Sequence, residues 1–227
     1  MSDIQLHYIE QGQGQPLLLL HGNGESCDYF EHQIPCFSED YRVIALDTRG
    51  HGKTPRGEKP FTIVQFAEDL HDFMDEKGIE KAILLGFSDG GNIALTFALK
   101  YPERVEKMIV DGANLFPSGV KPLYQWPIEI GYRIAKWFSH KSEKALKNAE
   151  MLGLMVNEPH IGPSELAMLT MPVLVVAGTK DMIKDAHTRF IYKSLPKAQL
   201  VILDGDHFVA NKHPEAFNKA VVDFLRK

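Results

Sequence analysis

Cysteine is scarce in this chain of 227 residues, and Cys27 and Cys36 are too few for a disulfide framework. The sequence also lacks a run of 18 apolar residues, which argues against a membrane-spanning helix. Positive charge is not in excess, and the net charge of −5 disfavours nucleic-acid binding, because phosphate recognition needs a basic face. The segment Met1–Gln5 lacks the basic start and apolar stretch of a signal peptide, so we expect a cytoplasmic location.

Short apolar runs of strand length alternate along the chain with longer segments of helical periodicity. Near-continuous apolar strands are typical of a parallel sheet that helices cover on both faces. The pattern therefore predicts an α/β fold with a mostly parallel, doubly wound sheet. We also expect a strand at Leu6–Glu10 that pairs antiparallel with the next strand. The other predicted strands are Leu17–Leu20, Val43–Leu46, Ala82–Leu85, Met108–Val110, Val173–Val176 and Leu200–Leu203.

Several of the predicted helices have recognisable end signals. Thr62 and Gln65 form a capping-box pattern at the start of one helix, and Gly78 lies where its C-terminal cap belongs. A second helix is predicted at Ser88–Tyr101. The last helix begins at Pro214, a residue suited to a first helical turn.

One long segment breaks the alternation of strands and helices. No convincing strand lies in Leu115–Pro163, where amphipathic helices are predicted at Ile128–Phe138 and Glu143–Val156. We interpret residues 115–163 as a compact helical lid over one end of the sheet. The lid would be inserted into a single core domain made of residues 1–114 and 164–227.

The most specific motif is Gly86-Phe87-Ser88-Asp89-Gly90, which directly follows a predicted strand and directly precedes a helix. This is the G-x-S-x-G pattern in the strand–turn–helix setting of a nucleophilic serine. The sharp turn lifts the serine hydroxyl clear of the sheet. Glycines are needed at its ends because larger side chains would collide with the adjoining strand and helix. We therefore predict Ser88 as a nucleophile.

A serine is a weak nucleophile at neutral pH and needs a base. Among ten histidines, His207 is favoured because it lies in a turn-rich loop after the last strand. That loop falls at the carboxyl edge of the sheet, where open α/β folds gather their sites. Asp181 follows another strand and precedes His207, which gives the expected chain order of Ser, Asp and His. We favour Asp181 as the acid that orients His207, with Asp111 as the alternative acid.

A tetrahedral intermediate also needs hydrogen-bond donors for its oxyanion. The backbone N–H of Asp89 lies at the positive end of the helix after the nucleophile, and His21-Gly22-Asn23-Gly24 follows another strand. We predict the N–H groups of Asn23 and Asp89 as these donors. As a hypothesis, the Asp89 carboxylate contacts the substrate and favours an amine close to the ester carbonyl.

With these motifs the chain resembles the α/β-hydrolase superfamily from about Leu6 to Leu225. The Ser-Asp-Gly-Gly elbow and Asp111-Gly112-Ala113-Asn114 are most similar to the valacyclovir-hydrolase or biphenyl-hydrolase-like serine esterases. The resemblance implies hydrolysis of a carboxylic ester, or a related acyl bond, of a small molecule without a cofactor. It also implies a helical lid after the sixth strand, here shorter than usual, and a chain without the family's first strand. Further matching segments are Asp47–Gly52, Gly178–Asp181 and Gly205–Phe208.

Rival functions remain open at this point. A same-fold lyase or cofactor-free enzyme acting on a carbon acid would use the same serine and histidine. Gly22-Asn23-Gly24 followed by Asp47 mimics the dinucleotide fingerprint of an NAD-type oxidoreductase, but Cys27 occupies the third glycine position. A non-catalytic binding protein is the third rival, and it would have no reason to keep a complete triad.

Several remaining residues are expected to have structural roles. The Asp47–Gly52 segment is expected to tie down a loop near the site. Cys27 and Cys36 have no metal-ligand spacing with nearby histidines, so we expect no metal site. The physiological substrate and the oligomeric state do not follow from the sequence.

Overall fold

The structure is a computed structural model that describes residues 3–227, so Met1 and Ser2 of the N-terminal segment considered above lie outside it. Within the described range the chain forms seven strands and nine α-helices. The strands are β1 (Tyr8–Gln11), β2 (Pro16–Leu20), β3 (Arg42–Leu46), β4 (Ala82–Phe87), β5 (Val105–Asp111), β6 (Val173–Gly178) and β7 (Ala198–Leu203). The helices are α1 (Gln33–Phe37), α2 (Ile63–Glu76), α3 (Asp89–Lys100), α4 (Pro122–Phe138), α5 (Glu143–Asn157), α6 (Pro163–Leu166), α7 (Asp185–Ser194), α8 (Val209–Lys212) and α9 (Pro214–Leu225).

The strands form one sheet in the order β1-β3-β2-β4-β5-β6-β7. Every neighbouring pair is parallel except β1 with β3. All residues of β4 and β6 are buried, because helices cover both faces at the centre of the sheet. The predicted α/β fold with a mostly parallel, doubly wound sheet is confirmed.

The core consists of one apolar layer on each face of the sheet. Successive side chains of a strand point to opposite faces. In β2, Leu18 and Leu20 therefore pack with α2 and α3, whereas Leu17 and Leu19 pack with α1 and α9. Each fully buried leucine contributes about 1.5–3 kcal/mol relative to an exposed one. The buried central strands therefore hold the loops at their carboxyl ends in fixed positions.

The order of the strands reverses at β2, which has β3 on one side and β4 on the other. The loops after β2 and β4 begin side by side, since Leu20 is paired with Gly86. A reversal of this kind opens a crevice at the carboxyl edge of an α/β sheet. It brings the loop of Asn23 next to Ser88.

The first strand differs from its prediction in two respects. It spans Tyr8–Gln11 rather than Leu6–Glu10, and it pairs with β3 rather than with β2, the next strand along the chain. Both edges of β2 are occupied by parallel strands, so β1 pairs with the outer edge of β3. Gly12 and Gly14, both with positive φ, reverse the chain between β1 and β2.

Most predicted helix ends agree with the structure. The Thr62 hydroxyl accepts a hydrogen bond from the Gln65 N–H at 3.1 Å, and Gly78 with φ +63° ends α2. The Gln65 side chain, however, donates to Asp69 instead of returning to Thr62, so one half of the capping box forms. The last helix begins at Pro214, as predicted.

Helices α4 and α5 form an antiparallel pair, here named the α4–α5 hairpin, in the segment predicted as a lid. Helix α5 matches its prediction within one residue, but α4 begins at Pro122 rather than Ile128 and includes Pro127. The hairpin follows β5, the fifth strand within the described range, which is the sixth in the family's count because this chain is expected to lack the family's first strand. No helix of residues 3–227 is long and apolar enough to cross a membrane.

Candidate active site

Ser88 lies in a strained turn between β4 and α3. Its φ of 52° is the one positive φ of a non-glycine residue in the part of the chain that the structure describes. A conformation of this kind costs about 1–3 kcal/mol and clusters at functional sites. A Cβ at Gly86 would collide with the Gly90 backbone, and one at Gly90 would collide with the Leu20 carbonyl. The glycine spacing therefore lets strand and helix approach closely enough to form the turn.

The structure brings Ser88, His207 and Asp181 together in one hydrogen-bonded chain. The Nε2 atom of His207 lies 3.0 Å from the Oγ atom of Ser88, and the His207 Nδ1 atom lies 2.7 Å from Asp181 Oδ1. The Ile183 N–H donates to the same Asp181 oxygen at 2.9 Å, which fixes the carboxylate. This is the geometry in which an imidazole removes a hydroxyl proton while a carboxylate holds the ring.

Asp111, the alternative acid, does not contact His207 through its carboxylate. It is completely buried at the end of β5, and neither carboxylate oxygen has a hydrogen-bond partner among residues 3–227. Burial raises the pKa of Asp111 well above its usual value, and the negative charge of Asp181 raises it further. Burial therefore favours the neutral form of Asp111, and the geometry favours Asp181 as the partner of His207.

The two predicted oxyanion donors follow the paired ends of β2 and β4. Among residues 3–227, neither the Asn23 N–H nor the Asp89 N–H donates a hydrogen bond to another group of the protein. Gly22 approaches Ser88 closely, since a Cβ at Gly22 would lie 2.9 Å from the Phe87 ring and 3.2 Å from the Ser88 Cβ. The Asn23 side chain donates to the Met151 carbonyl of α5 at 2.7 Å, so the α4–α5 hairpin holds this loop.

The carboxylate of Asp89, the residue that follows Ser88, is buried. Its Oδ1 accepts a hydrogen bond from Asn92 at 3.1 Å, while Oδ2 has no partner in the described chain. Burial raises the pKa of Asp89 to about 6, against the lowering effect of the Asn23 and Asn92 side chains. One oxygen of this buried carboxylate is thus without a hydrogen-bond partner among residues 3–227.

Glu25 and Glu158 are acidic residues at this site that the sequence analysis missed. The Oε2 atom of Glu25 is buried without a partner in the described residues, and burial raises the pKa of Glu25 to about 7 despite the nearby charge of His207. Burial also raises the pKa of Glu158, whose charge in turn acts on Asp89. The one available signal for Glu25 was its place in the loop of Asn23. Its burial depends on packing that the sequence does not display.

Hydrogen bonds of the Asp47–Gly52 segment tie down the neighbouring loops, as predicted. Asp47 accepts hydrogen bonds from the Cys27 N–H at 2.7 Å, the Lys53 N–H at 2.8 Å and the His7 ring at 2.9 Å. Arg49 is fully buried. These contacts also remove Asp47 from solvent, which counts against the ribose-binding role that an NAD-type oxidoreductase would require.

His7, Cys27 and Asp47 are the one group in residues 3–227 whose ligand atoms, all within 4.8 Å of one another, could hold a metal ion. The Asp47 oxygens already accept three hydrogen bonds. Burial raises the pKa of the Cys27 thiol to about 12, and a metal needs the thiolate. These three residues therefore fit a structural hydrogen-bond cluster better than a metal site.

Comparison with known proteins agrees with this geometry. The family model of the alpha/beta hydrolase fold matches residues 15–140. The human "Serine hydrolase BPHL" is 29% identical over 249 residues, covering 100% of this chain and 84% of that protein. The "3-oxoadipate enol-lactonase 2" of Acinetobacter baylyi is 27% identical over 254 residues, which cover 100% of this chain and 95% of that protein. The crystal structure of the enol-lactonase from Burkholderia xenovorans LB400 superposes with a TM-score of 0.83 at 23% identity. The superposition covers 99% of this chain and 97% of that protein.

Proposed function

Because this chain belongs to the α/β hydrolase fold family, we propose that it hydrolyses a carboxylic ester or lactone of a small molecule through an acyl-enzyme on Ser88. The chain is a hydrolase-like enzyme of this family. The observation that carries the proposal is the hydrogen-bonded chain from the Ser88 hydroxyl through His207 to Asp181. The ester or lactone class is favoured by similarity to a serine hydrolase and an enol-lactonase, since an enol-lactone is a cyclic ester.

The proposed reaction begins when His207 Nε2 removes the proton of Ser88 and Oγ attacks the carbonyl carbon of the substrate. The carbonyl oxygen becomes an oxyanion and accepts hydrogen bonds from the Asn23 and Asp89 N–H groups. Collapse of the tetrahedral intermediate breaks the ester C–O bond, and His207 gives its proton to the leaving alcohol. Asp181 holds the imidazole and stabilises its charged form.

The acyl group then remains bound to Ser88 as an ester. Water enters, His207 removes one proton from it, and the resulting hydroxide attacks the acyl carbon. The second intermediate breaks the bond to Ser88 Oγ, which takes the proton back from His207. The products are a carboxylic acid and a free serine, so no redox partner or metal is required by this sequence of steps.

The electrostatics of the site support a substrate with a positively charged amine. Oδ2 of Asp89, the residue after Ser88, and Oε2 of Glu25, whose carboxylate interacts with the charge of His207, are both buried oxygens without a partner in the described residues. Burying a carboxylate without a cation disfavours its charged form, and an ammonium group of the substrate would relieve that cost. An anionic acyl group would meet repulsion at the same place.

The decisive experiment is labelling with a fluorophosphonate followed by mass spectrometry of the modified peptide. We expect one adduct on Ser88, no adduct in Ser88→Ala, and full labelling of the control Ser118→Ala, which changes an exposed serine. Rapid-quench mass spectrometry with a p-nitrophenyl ester should then detect the acyl-enzyme. Turnover of a substrate without any acylated Ser88 would instead point to the same-fold lyase or carbon-acid chemistry.

A further inference from the structure

Helix α4 presents an unusually apolar face to solvent. Leu123, Trp126, Ile130, Ile134 and Trp137 are between 56% and 79% exposed. Gln125 is the one buried residue of this helix. Spacings of three and four residues place the five exposed side chains on one side, so they form a continuous row, here named the α4 stripe.

The exposed apolar area of the α4 stripe is larger than that of the largest patch on a typical monomeric protein. From their exposed fractions, its five side chains present on the order of 700 Å² of mostly apolar area. The largest apolar patch of a typical monomer is about 300–600 Å². Each partner of a standard protein–protein interface buries about 800 Å², which the stripe and its rim can supply.

The stripe has a symmetrical pattern about Ile130. Leu123 precedes and Trp137 follows this residue by the same seven positions, and Trp126 and Ile134 flank it by the same four. A face whose spacing is the same in both directions brings its side chains opposite one another when two identical helices pack antiparallel across a two-fold axis. We propose that the α4 stripe is the interface for a second copy of this chain, with Ile130 on the two-fold axis.

In this arrangement each end of the stripe meets the opposite end of the second copy. Leu123 packs against Trp137 of the second copy, and Trp126 packs against its Ile134. Each large indole is thus placed against an aliphatic side chain, and the two Ile130 side chains meet at the centre. Tryptophan is among the residues that contribute most to association.

The charges beside the stripe fit the same partner. Glu129 and Arg133 lie on one flank of α4, and a two-fold axis places the matching flanks of both copies side by side. With a rise of about 1.5 Å per residue, Glu129 and Arg133 of the second copy are then offset by about 3 Å along the helix axis. Two symmetrical Glu–Arg pairs would form. Such pairs fix orientation more than they add affinity.

A lipid surface is the other occupant that an exposed amphipathic helix could have. A helix that lies on membranes carries Lys and Arg along its polar border, where they face anionic headgroups. Here Glu129 stands beside Arg133 on that border, and the whole chain has a net charge of −5. The symmetrical spacing also has no role on a membrane. The observations therefore favour a second copy.

Sedimentation velocity over a concentration series tests the proposal. The wild-type chain should dimerise with a Kd of about micromolar or tighter, as expected for an interface of this size. Ile130→Glu should raise Kd about 30-fold or more, because it places two charges at the centre of the contact. The matched control Val64→Glu alters an exposed apolar residue of α2 and should dimerise like wild type. Ester hydrolysis and far-UV circular dichroism verify that both variants are folded.

Two further variants test the orientation independently of any folding defect. Glu129→Lys should weaken the dimer, and adding Arg133→Glu should restore it by exchanging the charges. In a Cys36→Ser background, Ile130→Cys should form a disulfide-linked dimer on oxidation. Leu123→Cys should not, because antiparallel packing separates the two copies of that residue by about 21 Å.

The proposal is overturned if the wild-type chain stays monomeric to about 100 μM, far above the expected Kd. Monomers that sediment with vesicles of phosphatidylcholine and phosphatidylserine would assign the stripe to a membrane surface. Efficient cross-linking through Leu123→Cys would replace the antiparallel arrangement by a parallel one. None of these results bears on Ser88, whose role the fluorophosphonate experiment decides separately.

Discussion

The Nε2 atom of His207 lies 3.0 Å from the Oγ atom of Ser88, although the two residues are 119 positions apart in the chain. Ser88 follows β4 at the centre of the sheet, and His207 follows β7 at its edge. Their meeting depends on all parallel strands ending at the same side of the sheet. That single contact links the fold to the proposed chemistry.

The first prediction is that Ser88 and His207 act as a unit. Ser88→Ala and His207→Ala should each lower kcat by about 10⁴–10⁶, because either change removes the attacking alkoxide. The double variant should be no slower than the worse single variant. Steady-state hydrolysis of a p-nitrophenyl ester measures all three. Losses that multiply in the double variant would mean that the residues work independently.

The second prediction separates the two candidate acids. Asp181→Asn should lower kcat by about 10⁴, because the amide stabilises the wrong imidazole tautomer. Asp111→Asn should retain kcat within a few-fold, since the Asp111 carboxylate makes no hydrogen bond to His207. The same ester assay tests both variants. The assignment of Asp181 fails if Asp111→Asn is the more damaged enzyme.

The third prediction concerns stability, because Asp111 is buried without a hydrogen-bond partner in the described chain. Its pKa is raised by folding, so above the unfolded value the native state binds more protons than the unfolded chain, and stability falls as pH rises. Asparagine does not titrate. Asp111→Asn should therefore stabilise the protein by about 1–3 kcal/mol at pH 8, with a smaller gain at pH 5.

Urea unfolding at pH 5 and pH 8 measures that difference. Asp75→Asn is a suitable control, because Asp75 is more than half exposed and its amide variant should change stability little. A gain that is equal at both pH values would show that the effect does not arise from the titration of Asp111.

Local signals were sufficient to locate Ser88 and the caps of α2. The turn at Ser88 depends on Gly86 and Gly90, which are neighbours in sequence, so the motif contains its own structural reason. Thr62 likewise caps a helix that begins at the next residue. Features of this kind are set within a few residues and are readable from one sequence.

Features set by tertiary packing were predicted less well. The partner of β1 was wrong because strand pairing depends on which edge of the sheet is free, and β2 has no free edge. Glu25 was missed because its carboxylate is buried by segments distant in the chain. The exposure of Trp126 and Trp137 was equally hidden, since an aromatic residue on a helix is more often packed inside.

The last prediction concerns how pH selects between substrates. Burial raises the pKa of Asp89 to about 6, so the carboxylate gains its charge as pH rises from 5 to 7. Over this range an α-amino group, with a pKa near 7.7–8.0 in peptides, stays mostly protonated. We therefore expect the ratio of kcat/KM for an amino-acid p-nitrophenyl ester to that for a neutral acyl ester to rise with pH through about 6.

The ratio removes any titration that affects both substrates alike, including that of the general base. Asp89→Asn keeps the backbone N–H proposed as an oxyanion donor but removes the charge, so the ratio should fall about 10-fold or more and lose its pH dependence. Glu25→Gln is a useful comparison, because the pKa of Glu25 is raised to about 7 and any contribution from it would appear at higher pH. If the ratio is flat in wild type and unchanged by Asp89→Asn, then neither carboxylate recognises an amine, and the buried acids serve the fold of the site instead.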